Sequence, residues 1–285
     1  MTEATLAFVH GLFSGAHTWD EFLRVLATDE EFGGSVTARR FEYATPVLRS
    51  SPLRRIPDLA DIASNLREWL RGLPPDRPVV LITHSMGGLV VQRFLAERVR
   101  AGRLDELSGI AGVVMFSCPN QGSEIFLALR RNMPFWRHPQ ERRLRPLSAE
   151  VAEAQQIVIE RIVHAATAAA PARRIPIWAF AGDSDRVVLP QSAKSVFADE
   201  YCFTLPGDHS SIIRPGSTAH RGYSAARRSV LAALAMYAAG TREQPAPPAV
   251  VPCPAVGGVV QSVRDSLVDG SVYQITGVGD VTIER

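Results

Sequence analysis

Lysine is all but missing from this chain. Of its 31 basic residues only Lys194 is a lysine, which we read as composition rather than function. Cysteine is scarce too. Cys118, Cys202 and Cys253 are odd in number and scattered, which suits reduced thiols and gives neither a disulfide framework nor a metal-ligand spacing. A marked charge imbalance is also absent. The net charge of +2 gives no pointer to nucleic acid. No apolar run approaches the roughly 20 residues that cross a bilayer. The start carries no basic stretch followed by an apolar run and a small-residue cleavage site; "ATLAFVHG" reads as a strand that begins at once. No glycine-rich phosphate loop follows a strand. The expectations are therefore a cytoplasmic location, no transmembrane segment, no metal, no cofactor and no nucleic-acid partner.

What the sequence does hold is an alternation. Across 285 residues, 46% of them apolar and 21% charged, strand-length apolar runs lie at Thr5–Val9, Val36–Phe41, Pro78–Thr83, Ile110–Ser117, Ile175–Ala181 and Tyr201–Leu205. Helix-compatible segments separate or follow them at Thr18–Ala27, Leu59–Arg71, Met86–Arg100, Ser148–Ala169, Gln191–Phe197 and Ser224–Ala239. This order predicts an α/β fold, a mostly parallel sheet of about six strands with helices on both faces. Ligands of such sheets bind beyond the carboxyl ends of the strands.

Two stretches break the rhythm. Residues 122–147, with Phe135 and Trp136 among arginines and prolines, read as a short cap insertion. Residues 241–258, "TREQPAPPAVVPCPAVGG", read as a Pro-rich, semi-rigid linker between a domain at 1–240 and a short β-like tail at 259–285. The tail carries "SVYQI" and "GDVTI", alternating segments of strand length.

Four loops after strands carry chemistry-bearing residues. In "LITHSMGGLV" Ser85 stands at a strand–turn–helix junction, the setting of a nucleophile elbow, with small neighbours that let the backbone pack closely. Thr83 replaces the first glycine of G-x-S-x-G, and Gly87 is the last. In "FVHGLFSG" the turn after the first strand places the N–H of Leu12, with that of Met86 after the serine, to face a developing oxyanion. In "FAGDSDRVV" Asp183 and Asp185 both follow a strand. Asp185 is favoured as the acid and Asp183 is the alternative, since the turn itself needs a short polar side chain at 183. In "LPGDHSSI" His209 follows the last predicted strand, where an imidazole can take a serine proton and return it.

With "FVHGLFSGAHTW", "THSMGGLV", "CPNQGS" and "DHSSIIRP", residues Thr5 to about Tyr237 resemble the α/β-hydrolase lipases and esterases, and among them the SERAC1-like and PGAP1-like serine esterases. The resemblance implies an α/β-hydrolase fold trimmed of its first two strands. It also implies a carboxylic-ester hydrolase working through an acyl-enzyme, with nucleophile Ser85, acid Asp185, base His209 and oxyanion donors Leu12 and Met86, acting on a small-molecule or lipid ester. The same set also serves thioesterases, amidases and hydroxynitrile lyases. A reading from another class is a recruitment module of a multidomain signalling or conflict system, whose tail binds a protein partner.

Overall fold

The computed structural model describes residues 3–11, 14–32, 34–43, 58–120, 141–165, 173–194, 197, 201–243, 266–268, 271–275 and 281–284. They form two compact units, Met1–Thr241 and Arg242–Arg285.

The first unit is built on six parallel strands: β1 (Ala4–Val9), β2 (Val36–Phe41), β3 (Val79–His84), β4 (Ile110–Phe116), β5 (Ile177–Gly182) and β6 (Cys202–Leu205). Their order is β2-β1-β3-β4-β5-β6. Every residue of β1, β3, β4 and β5 is buried, whereas the outer strands β2 and β6 are mostly half-exposed. That division explains why the four inner strands read as continuous apolar runs: a parallel sheet covered on both faces leaves no position for water.

The two faces separate by alternation along each strand. Ala7, Val9, Val79 and Leu81 face one core. It is filled by Leu59, Ile62 and Leu66 of α2 (Leu59–Arg71), Leu89, Val90, Phe94 and Leu95 of α3 (Met86–Arg100), and Val151, Ala154 and Val158 of α4 (Glu141–Val158). Leu6, Phe8, Val80 and Ile82 face the other. There Trp19 and Phe22, at and in α1 (Asp20–Leu26), meet Tyr223, Ala226 and Val230 of α6 (Arg221–Glu243). A short α5 (Pro190–Lys194) lies between β5 and β6.

Some boundaries differ from expectation. β5 starts at Ile177, not Ile175: Pro176 has no N–H to give a ladder, although its carbonyl accepts from Val113 N at 2.9 Å. α4 starts at Glu141, not Ser148, and takes in the end of the stretch read as a cap insertion; residues 121–140 lie outside the described residues. At its other end α4 passes into a π turn over Ile159–Val163.

In the second unit, β7 (Ser266–Val268), β8 (Ser271–Ile275) and β9 (Val281–Glu284) form an antiparallel sheet in that order. The linker residues 244–258 lie outside the described residues.

Candidate active site

Ser85 sits between the last residue of β3 and the first of α3 with φ +53° and ψ −129°, a combination that an L residue adopts only under constraint. The constraint is visible. Ser85 N donates to Phe116 O at 2.8 Å, while Gly88 N donates back to Ser85 O at 3.1 Å. Small residues are obligatory around it. A Cβ on Gly87 would lie 2.6 Å from His10 O and 2.7 Å from Val9 O, and one on Gly11 would lie 2.8 Å from Ser85 Cβ. Thr83, standing where the usual motif has glycine, is fully buried, and its hydroxyl finds no partner among the described residues.

Opposite Ser85 stands His209, on the loop after β6, with Nε2 3.2 Å from Ser85 Oγ. Its Nδ1 lies 2.9 Å from Asp185 Oδ2 on the loop after β5. A carboxylate oxygen only accepts, so Nδ1 carries the proton and Nε2 is left to accept from the serine. The other carboxylate oxygen of Asp185 accepts from Val187 N at 2.8 Å and Val188 N at 2.9 Å, and the residue is 3% exposed. Burial pushes the Asp185 carboxyl up, but the His209 hydrogen bond and charge and the Val188 N–H outweigh it and hold it below the usual range. Ser117 adds to this, its hydroxyl near enough to favour the charge although short of hydrogen-bond geometry.

Asp183 does not enter this chain. It accepts from Ser184 Oγ at 2.8 Å and Gly207 N at 3.1 Å, tying the loop after β5 to the loop after β6. Asp208 caps the turn beyond His209 by accepting from Ser210 N at 2.9 Å and Ser211 N at 2.7 Å.

Met86 follows Ser85 and opens α3, so its N–H has no acceptor within the helix. Leu12 lies outside the described residues, but its approach is held in detail. Gly11 O accepts from His10 Nδ1 and from Ser14 Oγ, both at 2.9 Å. Tyr43, two residues past β2, was not foreseen. Its hydroxyl donates to His10 O at 2.8 Å, its N–H reaches His10 Nε2 at 3.4 Å, and its ring stacks on the imidazole at 4.2 Å and 8°. These bonds agree on one tautomer of His10, protonated at Nδ1. His84 precedes Ser85 and turns its ring towards the loop of His209. Its Nε2 lies 2.7 Å from the main-chain oxygen of His209.

Among the described residues, no group of three or more His, Cys, Asp or Glu is arranged to hold a metal ion. No described helix is long and apolar enough to cross a membrane. Cys118 is wholly buried and its thiol is pushed well up by that burial, so it offers no nucleophile.

A hydroxyl on a strained strand-to-helix turn, an imidazole and a buried carboxylate, each on its own loop at the carboxyl edge of a parallel sheet, together define a class of proteins. The sequence pattern described as the Alpha/beta hydrolase family matches residues 6–254, and the chain belongs to that family. Among curated proteins it is similar to Protein SERAC1 of Bos taurus, 28% identical over 151 residues, which are 43% of this chain and 22% of the bovine protein. Protein SERAC1 of Mus musculus is 39% identical over 51 residues, 18% of this chain and 8% of the mouse protein. The aligned parts thus span less than a quarter of these relatives. Of solved structures, Est1E from Butyrivibrio proteoclasticus has the same fold, with a TM-score of 0.52 at 17% identity, covering 82% of this chain and 89% of that one. A putative aryl esterase from Burkholderia cenocepacia gives 0.46 at 19% identity, covering 82% and 92%.

Proposed function

We propose that this chain is a serine hydrolase that cleaves a carboxylic ester, of a small molecule or a lipid, through an acyl-enzyme. Ser85 Oγ attacks the carbonyl carbon while its proton passes to His209 Nε2, and the carbonyl electron pair moves onto oxygen. The N–H groups of Met86 and Leu12 receive that oxyanion, where the positive end of α3 adds to the field. Collapse returns the electron pair, breaks the bond to the alcohol oxygen and hands it the proton from His209. Water then repeats the sequence on the acyl group held by Ser85. Asp185 keeps the His209 tautomer and offsets its positive charge in both halves.

The observation that carries this reading is the continuous line from Ser85 Oγ through His209 to Asp185, at 3.2 Å and 2.9 Å, with the serine in a strained conformation. We place the reaction in the cytoplasm, which suits the three scattered cysteines of the sequence.

The test is covalent. A fluorophosphonate probe should label wild-type protein stoichiometrically at Ser85 and leave Ser85→Ala unmodified. Hydrolysis of p-nitrophenyl acetate should fall by several orders of magnitude in Ser85→Ala and in His209→Ala, with the double variant little worse than either, because such groups act as a unit. Labelling at another residue, or Ser85→Ala with most of its activity, overturns the assignment.

A further inference from the structure

The loop that bears His209 is not laddered to the elbow that bears Ser85, since β4 and β5 separate β3 from β6 in the sheet. Apart from the His209 ring and the His209 carbonyl, its bonds among the described residues are to its own turn and to the loop after β5. Something else must set the distance between base and nucleophile. His84, the last residue of β3 and the immediate neighbour of Ser85, spans that gap.

Its Nε2 meets the His209 carbonyl at 2.7 Å, across 125 residues of sequence. A carbonyl only accepts, so Nε2 is the protonated nitrogen and the bond is an N–H donation. The ring is 6% exposed, and it lies 4.7 Å from the His209 ring and 6.4 Å from the Trp19 ring, edge-on to the latter. Its Nδ1 finds no partner among the described residues, so the donation to His209 is the only polar tie seen for this buried ring. Burial first, then the neighbouring His209, pushes His84 down to about 3, which keeps it a neutral donor at ordinary pH. A neutral donor there also adds no positive charge of its own beside the imidazolium that forms on His209.

We propose that His84 is a positioning residue: its Nε2–H holds the main chain of His209 and thereby sets the reach of the His209 imidazole to Ser85 Oγ. Asp185 orients the ring from one end, and His84 anchors the backbone at the other. The proposal rests on the reading of Ser85 as nucleophile and His209 as base.

The experiment compares wild type with His84→Gln, whose amide nitrogen reaches about as far as the imidazole Nε2 and donates. A second variant, His84→Met, fills a similar volume and has no donor. Both are followed by the second-order rate of fluorophosphonate labelling and by kcat and KM for p-nitrophenyl acetate. A base displaced by an ångström or so costs on the order of a hundredfold in rate. Expected, then, is a fall of about 10- to 100-fold in labelling rate and kcat for His84→Met with KM changed less than about twofold, and recovery to within about fivefold of wild type in His84→Gln. A merely structural role would not produce rescue that follows the donor. Wild-type rates in His84→Met, or a His84→Gln as slow as His84→Met, overturn the proposal. Should His84→Met fail to fold, His84→Gln decides alone: within about fivefold of wild type it supports the proposal, and a hundredfold deficit overturns it. A wild-type protein not labelled at Ser85 sinks the reading of the site as well, whereas a labelled wild type with an unaffected His84→Met sinks only the positioning role.

Discussion

Asp183 and Asp185 stand two residues apart on one turn, and their surroundings give them different work. Asp185 is buried with one oxygen on His209 and the other on two main-chain N–H groups, while Asp183 is exposed and bonded to Ser184 and Gly207. Replacing Asp185 by Asn puts an amide N–H or a neutral oxygen against His209 Nδ1, which favours the wrong tautomer and removes the charge. A kcat loss of about ten-thousand-fold is the expected scale. Asp183→Asn should leave kcat within about twofold and lower the melting temperature only slightly. Steady-state kinetics and thermal melts of the two variants, run in parallel, decide it, and a crippled Asp183→Asn beside a near-normal Asp185→Asn reverses the assignment. The charge of Asp185 also carries a sign in pH. Its carboxyl is held below the ordinary 3.8, so its contribution to stability is complete above that value and fades as pH falls through the lower folded one. Asp185→Asn should therefore lose part of the pH dependence of melting below about pH 4 that wild type shows.

At the scale of elements, the carboxyl edge of the sheet is a set of close approaches, and Gly87 makes the one that joins α3 to the end of β1. The first turn of α3 lies directly on the carbonyls of Val9 and His10, and backbone atoms at 2.6–2.7 Å from a new Cβ have nowhere flexible to go. Gly87→Ala must push α3 away from the end of β1. The expected cost is about 1–3 kcal/mol, or roughly 2–4 °C in Tm for each kcal/mol in a chain of this size. Turnover should fall further than the melt implies, because the displaced atoms belong to the turn that leads to Leu12. A Gly87→Ala protein with wild-type Tm and kcat would show that the two elements slide without consequence. Such approaches mark the division between what the sequence discloses and what it hides. The inner strands were legible because burial on both faces makes them uniformly apolar, and the elbow was legible because its glycines are forced by contact. The start of α4 was not, since "ERRLRP" is charged and includes Pro146, signals that read as loop until the helix is seen to run through them. Nor were the ties of Tyr43 to His10 and of His84 to His209, which join residues 33 and 125 apart by a main-chain acceptor and leave no local pattern.

For the whole molecule the question is whether the second unit belongs to the fold of the first. Every described residue of the candidate site, and all six strands of the parallel sheet, lie before Thr241. The second unit has its own antiparallel sheet, in which, among the described residues, β7 and β9 each pair on one side only. The stretch of the second unit that precedes β7 in sequence, "QPAPPAVVPCP", is rich in prolines, which supply no N–H donors and do not enter a central strand. A chain ending at Thr241 should therefore fold, melt within about 2 °C of the full chain and turn over p-nitrophenyl acetate at the same kcat. Melting curves and kinetics of the two chains side by side make the measurement. A truncated chain that melts about 5 °C or more below the full one has lost on the order of 1–2 kcal/mol, which would make the tail part of the hydrolase fold. A truncated chain with unchanged Tm but a changed KM would instead place the tail in substrate access. Equality in all three quantities would leave the tail free for the recruitment role that the sequence allows it, the binding of a protein partner.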